Sequence, residues 1–177
     1  MDRITQIIGV NAHEVLPGIW LGNKASSENV EFLQEANIVA VFNCTKTIPF
    51  TMGPWHLYRI PVDDNLRDEE IRNLSLWSFE IAYKIMNERK NGPVLIHCHA
   101  GMQRSAASLA IYMISVYRCT AQEAIDYIQK KRPIAFRPSV NFRRAIEEFE
   151  HTLRTMIRES SNPMMYSRRP FPTSVPM

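Results

Sequence analysis

Cysteine is scarce in this chain, with three in 177 residues. Cys44, Cys98 and Cys119 are odd in number and far apart, which excludes a paired disulfide framework and suits a reducing compartment. Cytosol or nucleus is therefore the expected location. Net charge is also small, +3 from 21 basic and 18 acidic residues, too slight to draw the chain to nucleic acid or a membrane surface. No apolar run reaches the roughly 18 residues of a membrane span, and no secretory h-region opens the chain, so neither a span nor a leader is expected. Internal repeats are missing too. What remains is 45% hydrophobic, enough for one domain with a proper core.

The chemistry-bearing residue types gather in residues 94–106, VLIHCHAGMQRSA. Val94, Leu95 and Ile96, bounded by Gly92-Pro93, read as a buried strand that ends in His97 and Cys98. Arg104 and Ser105 then open a long apolar helical pattern running to about 117. Strand, loop and helix in that order put loop N–H groups at a helix N-terminus, which carries unpaired donors and partial positive charge. A thiol at the loop's start would be stabilised as thiolate there. The guanidinium at its end presents a planar fork matched to two oxygens of a tetrahedral phosphate. The intervening His99, Ala100, Gly101, Met102 and Gln103 give enough backbone to ring one such anion, with Gly101 permitting close approach. The pattern fits phosphoryl transfer.

Two other readings use the same residues. Cys98 could be a buried strand cysteine with Arg104 an incidental surface charge. Alternatively, His97, Cys98 and His99 could ligate a metal, since His97 and His99 share a strand face. No further Cys/His pair with zinc-like spacing exists, so no metal and no cofactor is expected.

The string His97-Cys98, Gly101, Arg104-Ser105 resembles the His-Cys-x5-Arg-Ser/Thr signature of the cysteine-based protein tyrosine phosphatase superfamily. The chain has no Lys-Asn-Arg-Tyr recognition segment and no Trp-Pro-Asp loop. It is therefore similar to the compact, stand-alone dual-specificity protein phosphatases, cellular or poxviral, over about residues 16–149. The resemblance implies an α/β fold: a central mixed, mostly parallel sheet of about five strands flanked by helices. It also implies phosphoprotein substrates carrying phosphotyrosine and phosphoserine or phosphothreonine. Cys98 would be the nucleophile, with Arg104 and the loop residues His99 to Gln103 holding phosphate. Ser105 would help the thiolate depart, and His97 would orient Cys98. The family's proton donor is an aspartate after the strand preceding the long helix. Here register chooses Asp64 over Asp63, although either could instead cap that helix. Ser139 stands where many relatives have asparagine after Arg-Pro. Alternatives using the same loop are phosphoinositide or RNA 5′-triphosphate hydrolysis. Lipid-directed relatives often carry loop lysines and RNA-directed ones a more basic surface, neither of which occurs here. A non-catalytic phosphoprotein-binding module would be expected to have lost Cys98 or Arg104.

Around this centre the chain reads as a segment 1–15, a catalytic domain 16–158 and a Pro-rich tail 159–177. Ile4, Ile7 and Ile8 are at helical spacing, which suits a docked or frayed terminal turn, or a partner-binding helix that leaves monomer or homodimer undecided. Strands are expected after Leu16, at 38–45 and at 56–62. Helices are expected from Ser26 or Ser27 to 36, through Ile71, Leu74, Ile81 and Ile85, from a Thr120/Glu123 capping box to 132, and from 137 along the stripe Phe142, Ile146, Phe149 and Leu153. Cys44 is expected to pack in the core. Lys130, Lys131, Arg143 and Arg144 read as solvated faces or a docking surface for acidic substrates. The tail, with Tyr166, Ser167 and Thr173 as modifiable residues, has the composition of disorder.

Overall fold

The computed structural model describes residues 1–160, 162, 164 and 167–173. Its centre is a five-stranded sheet in the order β1-β2-β5-β3-β4. The strands are β1 (Ala12–Leu16), β2 (Ile19–Gly22), β3 (Ala40–Asn43), β4 (His56–Arg59) and β5 (Val94–His97). Only the β1–β2 pair is antiparallel; β5 runs parallel between β2 and β3. All four residues of β5 are buried, because helices cover both faces of the sheet. This is why the strand reads as an unbroken apolar run rather than an alternation. Val94 and Ile96 join the larger core and Leu95 the smaller one on the opposite face. The mixed, mostly parallel α/β sheet is the one expected.

On the larger-core side lie α4 (Asp68–Glu88), α5 (Arg104–Tyr117), α6 (Ala121–Lys131) and α7 (Arg143–Glu159). Helix α5 packs against α4, α6, α7 and β5, and every residue from Ser105 to Ile114 is buried. Its all-round apolar sequence reflects that central seat. The Thr120–Glu123 capping box opens α6 as read.

The other face carries α1 (Arg3–Ile8), α2 (Lys24–Glu28) and α3 (Val30–Glu35). Asp2 caps α1 by accepting the Thr5 N–H, and the Ile4, Ile7 and Ile8 stripe lies against the smaller core. The terminal isoleucines are thus covered by their own chain. Strand β1 crosses the expected 15/16 boundary; its central His13 and Glu14 hide it from an apolar count. A bulge lies between Glu14 and Leu16. The helix expected over residues 26–36 is two helices, because the Asn29 side chain takes the Phe32 N–H and starts a second one. Its predecessor is capped by Asn23, not by Ser26 or Ser27.

Two more differences arise from contacts distant in sequence. Helix α7 starts at Arg143 rather than 137, since the backbone at Arg137, Ser139 and Asn141 is hydrogen-bonded to the Gln103 side chain. In the tail, residues 167–173 lie on the domain. Arg168 pairs with Glu123 at 3.0 Å, the Arg169 N–H donates to Tyr117 O, and Phe171 packs on Tyr117 and Tyr127. An aromatic ring, an ion pair and a backbone hydrogen bond seat a segment whose composition suggests disorder. Ser167 and Thr173 are exposed, and Tyr166 lies outside the described residues. Among those residues, no helix is long and apolar enough to cross a membrane.

Candidate active site

The parallel strands end on one edge of the sheet, and residues 98–103 leave the central one as a loop that feeds α5. Its four middle carbonyls all bond outward. His99 O accepts from Lys24 N–H and Met102 O from Phe136 N–H. Ala100 O and Gly101 O accept from the Arg132 guanidinium. In a trans peptide the C=O and N–H point opposite ways, so a loop with outward carbonyls turns the following N–H groups inward. Such a ring of N–H groups can cradle an anion. Gly101 has φ +68°, and a Cβ there would sit 2.5 Å from Gly22 O, so the loop can rest on β2 only with glycine.

Arg132 supports the cradle from below. It is fully buried and bonds Gly101 O at 2.9 Å, Val10 O at 3.0 Å and His13 Nδ1 at 2.8 Å, with no carboxylate partner among the described residues. Burial pushes its pKa down to about 10, which keeps it charged at neutral pH. His13, lowered by burial and by the Arg132 charge, serves as a neutral acceptor. The second brace is Gln103. Its amide donates to Arg137 O (3.1 Å) and Ser139 O (2.7 Å) and accepts from Asn141 N–H (3.0 Å). With serine at 139, the loop is tied to this segment by the Gln103 side chain and Ser139's backbone.

Cys98 is 3% exposed at the base of the cradle, its Sγ 3.1 Å from Ser105 Oγ. Burial alone would raise the thiol pKa. The Ser105 hydroxyl and N–H, the Arg104 charge and the Met102 N–H together outweigh it and hold Cys98 below the ordinary thiol value. Arg104 donates from Nη1 to Val62 O at 3.1 Å, while its buried Nε–H has no partner among the described residues. His97 is buried behind the loop with Nδ1 3.2 Å from Cys98 O. Burial pushes it down to about 4, so it is a neutral support at physiological pH.

A cavity of about 310 Å³ opens above the sulfur. His99, Ala100, Met102, Gln103 and Arg104 line it with Cys98, and Asp64, Arg137 and Asn141 close the far wall. Gly101 is absent from this lining and lies at the loop's back. The two aspartates have different surroundings. Asp63 is paired with Lys46 at 3.1 Å, and its N–H donates to Glu70. Lys46 also bonds Glu70, whose carboxyl is held low against its burial by that lysine and by the Asp63 N–H. Asp64 faces the cavity and accepts from Asn141 Nδ2 at 2.9 Å. His97, Cys98 and His99 do not form a metal cluster: no group of three or more His, Cys, Asp or Glu able to hold an ion occurs among the described residues.

Sequence reasoning overlooked Arg132, Asn141 and the bracing role of Gln103. Arg132 closes a basic helix end, which ordinarily signals solvent; only its distant partners show otherwise. The solvated reading does fit Arg143 and Arg144, which pair with Glu147 and Asp68 on the surface.

Comparison with known proteins gives one consistent result. The family described as dual specificity phosphatase, catalytic domain, matches residues 19–152. Mouse dual specificity protein phosphatase 2 is 35% identical over 124 residues, covering 68% of this chain and 37% of its own length. Its human namesake is 32% identical over 140 residues, covering 77% and 43%. The chain thus spans less than half of these relatives. Among solved structures, a mouse putative dual specificity phosphatase complexed with zinc tungstate superposes with TM-score 0.71 at 23% identity, over 83% of this chain and 91% of that one. Human DUSP28 superposes with TM-score 0.69 at 21% identity, over 81% and 95%. These two likenesses establish the fold.

Proposed function

The chain belongs to the dual specificity phosphatase family, and from that premise we propose that it hydrolyses phosphotyrosine and phosphoserine or phosphothreonine in proteins through a cysteinyl-phosphate. The observation that carries the reading is the convergence on one cavity of the Cys98 sulfur and the Arg104 guanidinium, whose buried Nε–H has no partner among the described residues. Cys98 Sγ attacks phosphorus as the P–O bond to the leaving group breaks. Arg104 and the inward N–H groups hold the three equatorial oxygens as charge shifts across them. Asp64 gives its proton to the departing oxygen. Water then attacks the cysteinyl-phosphate, passing a proton back to Asp64, and the sulfur leaves as thiolate with help from the Ser105 hydroxyl.

Asp64 is preferred to Asp63 because it faces the cavity while Lys46 holds the other carboxylate. The dual specificity rests on the missing recognition segment, without which phosphoserine and phosphothreonine can reach the loop. A working thiolate also favours a reducing compartment such as cytosol or nucleus.

The test is hydrolysis of an aryl phosphate and of phosphotyrosine and phosphothreonine peptides. Wild type is expected to cleave all three, Cys98→Ser none, and Asp64→Asn to lose about 10²- to 10⁴-fold in kcat. Activity surviving in Cys98→Ser overturns the mechanism. A fully active Asp64→Asn beside an impaired Asp63→Asn transfers the acid to Asp63.

A further inference from the structure

We propose that Asn141 is a positioning residue for the proton donor, set in place by Gln103 from within the phosphate loop. This rests on Asp64 being the general acid, as argued above.

The segment carrying Asp64 is fastened residue by residue up to its neighbour and no further. Pro61 O accepts from Asn73, Val62 O from Arg104, and the Asp63 N–H donates to Glu70. Asp64 itself is exposed, and its one hydrogen-bond partner among the described residues is Asn141 Nδ2, at 2.9 Å. The donor is fixed in turn. The Asn141 N–H donates to Gln103 Oε1 at 3.0 Å, and its Oδ1 faces the Ser139 hydroxyl at 3.4 Å. That places the NH₂ side of the amide toward the carboxylate. Gln103 directly precedes Arg104, so one short chain of contacts runs from the phosphate-holding loop to the acid: Gln103, Asn141, Asp64.

This chain has a chemical consequence. An N–H donated to Oδ1 leaves Oδ2 to carry the proton, so the amide selects which oxygen is the acid. When the P–O bond breaks, the Oδ2 proton moves to the leaving oxygen and the carboxyl becomes a carboxylate. The Asn141 bond then goes to a charged acceptor and strengthens. An interaction stronger in the transition state than before it raises kcat with little effect on KM. The asparagine neither gains nor loses a proton and touches no reacting atom.

The experiment compares wild type, Asn141→Ala, Asp64→Asn and the double variant on aryl phosphates from good to poor leaving groups. Asn141→Ala should lose about tenfold in kcat on the poorest leaving group and little on the best, with KM unchanged. In the Asp64→Asn background it should cost nothing further, since its only route is through that carboxylate. Asn141→Asp, equal in size but without the donor, should do no better than alanine, whereas Asn141→Gln should recover part of the loss. An Asn141→Ala enzyme within twofold of wild type across the series overturns the proposal. So does an equal loss in both backgrounds, which would mark a merely structural residue. If Asp64→Asn is itself insensitive to the leaving group, the assignment of the acid fails instead, and the two results are distinguishable.

Discussion

Two buried thiols stand at the carboxyl ends of neighbouring strands and behave oppositely. Asn43 of β3 is in register with His97 of β5, so Cys44 and Cys98 follow side by side, and the Cys44 N–H donates to His97 O at 2.8 Å. Both sulfurs meet a serine of α5: Ser108 at 3.5 Å for Cys44, Ser105 at 3.1 Å for Cys98. Exposure is 0% and 3%. Yet burial drives Cys44 up to about 12, whereas Cys98 ends below the ordinary thiol value. The serines explain part of this. Ser108 lowers Cys44 too, but not enough to offset its burial, and its hydroxyl also bonds Arg104 O, one turn back in the helix. Ser105 has no such acceptor among the described residues and can donate to sulfur, alongside its own N–H in the first helical turn. The Arg104 charge and the Met102 N–H supply the rest. Burial does not make a thiol inert or reactive; the donors left over at a helix start decide it.

Three measurements press on that contrast. The largest effect is expected from removing the guanidinium: Arg104→Met should lower kcat/KM by about 10³-fold. Cys44→Ala, beside it in the sheet, should leave kcat/KM within about twofold, and a large loss there would mean that the neighbouring sulfur takes part in the chemistry. Next comes alkylation, followed by peptide mapping. At about pH 7 iodoacetate should label Cys98 alone, with Cys44 and Cys119, both pushed up to about 12, untouched until the chain is unfolded. Because the Cys98 pKa is depressed, labelling should fade only as pH falls through that lowered value. Inorganic phosphate should protect the site. The smallest effect separates the two serines. Ser105→Ala should move the pH midpoint of Cys98 labelling upward, because the hydroxyl that favours the thiolate is gone, and Ser108→Ala, at the serine that meets the other sulfur, should not move it. Equal shifts would refute the assignment of the depressed Cys98 pKa to its direct contact with Ser105.

Legibility in the sequence followed the range of the interactions. Helix α5 runs over the residues expected because burial on all sides leaves no polar register to confuse its limits. Strand β5 and the Thr120 capping box are local patterns and were legible for the same reason. Strand β1 was not, since His13 faces a buried guanidinium and Glu14 caps a turn by accepting the Gly18 N–H. Nor was the start of α7, which is delayed by a glutamine 34 residues earlier in the chain. At the site, the cysteine, arginine and loop could be read from one short string. The supports could not: Arg132 lies 31 residues beyond the carbonyl it holds, and Asn141 lies 77 from Asp64. Spacing along the chain holds no record of such pairs.

The buried guanidinium also bears on how the molecule assembles. Arg132 joins Val10 and His13 to Ala100 and Gly101, and its tie to Val10 spans 122 residues. Closures that long come late, after shorter-range structure has offset their entropic cost. A chain whose residues beyond 131 have yet to leave the ribosome would possess Cys98 and its loop without the guanidinium that holds the Ala100 and Gly101 carbonyls. The loop between β5 and α5 is thus tied, through one side chain, to the segment that opens the domain.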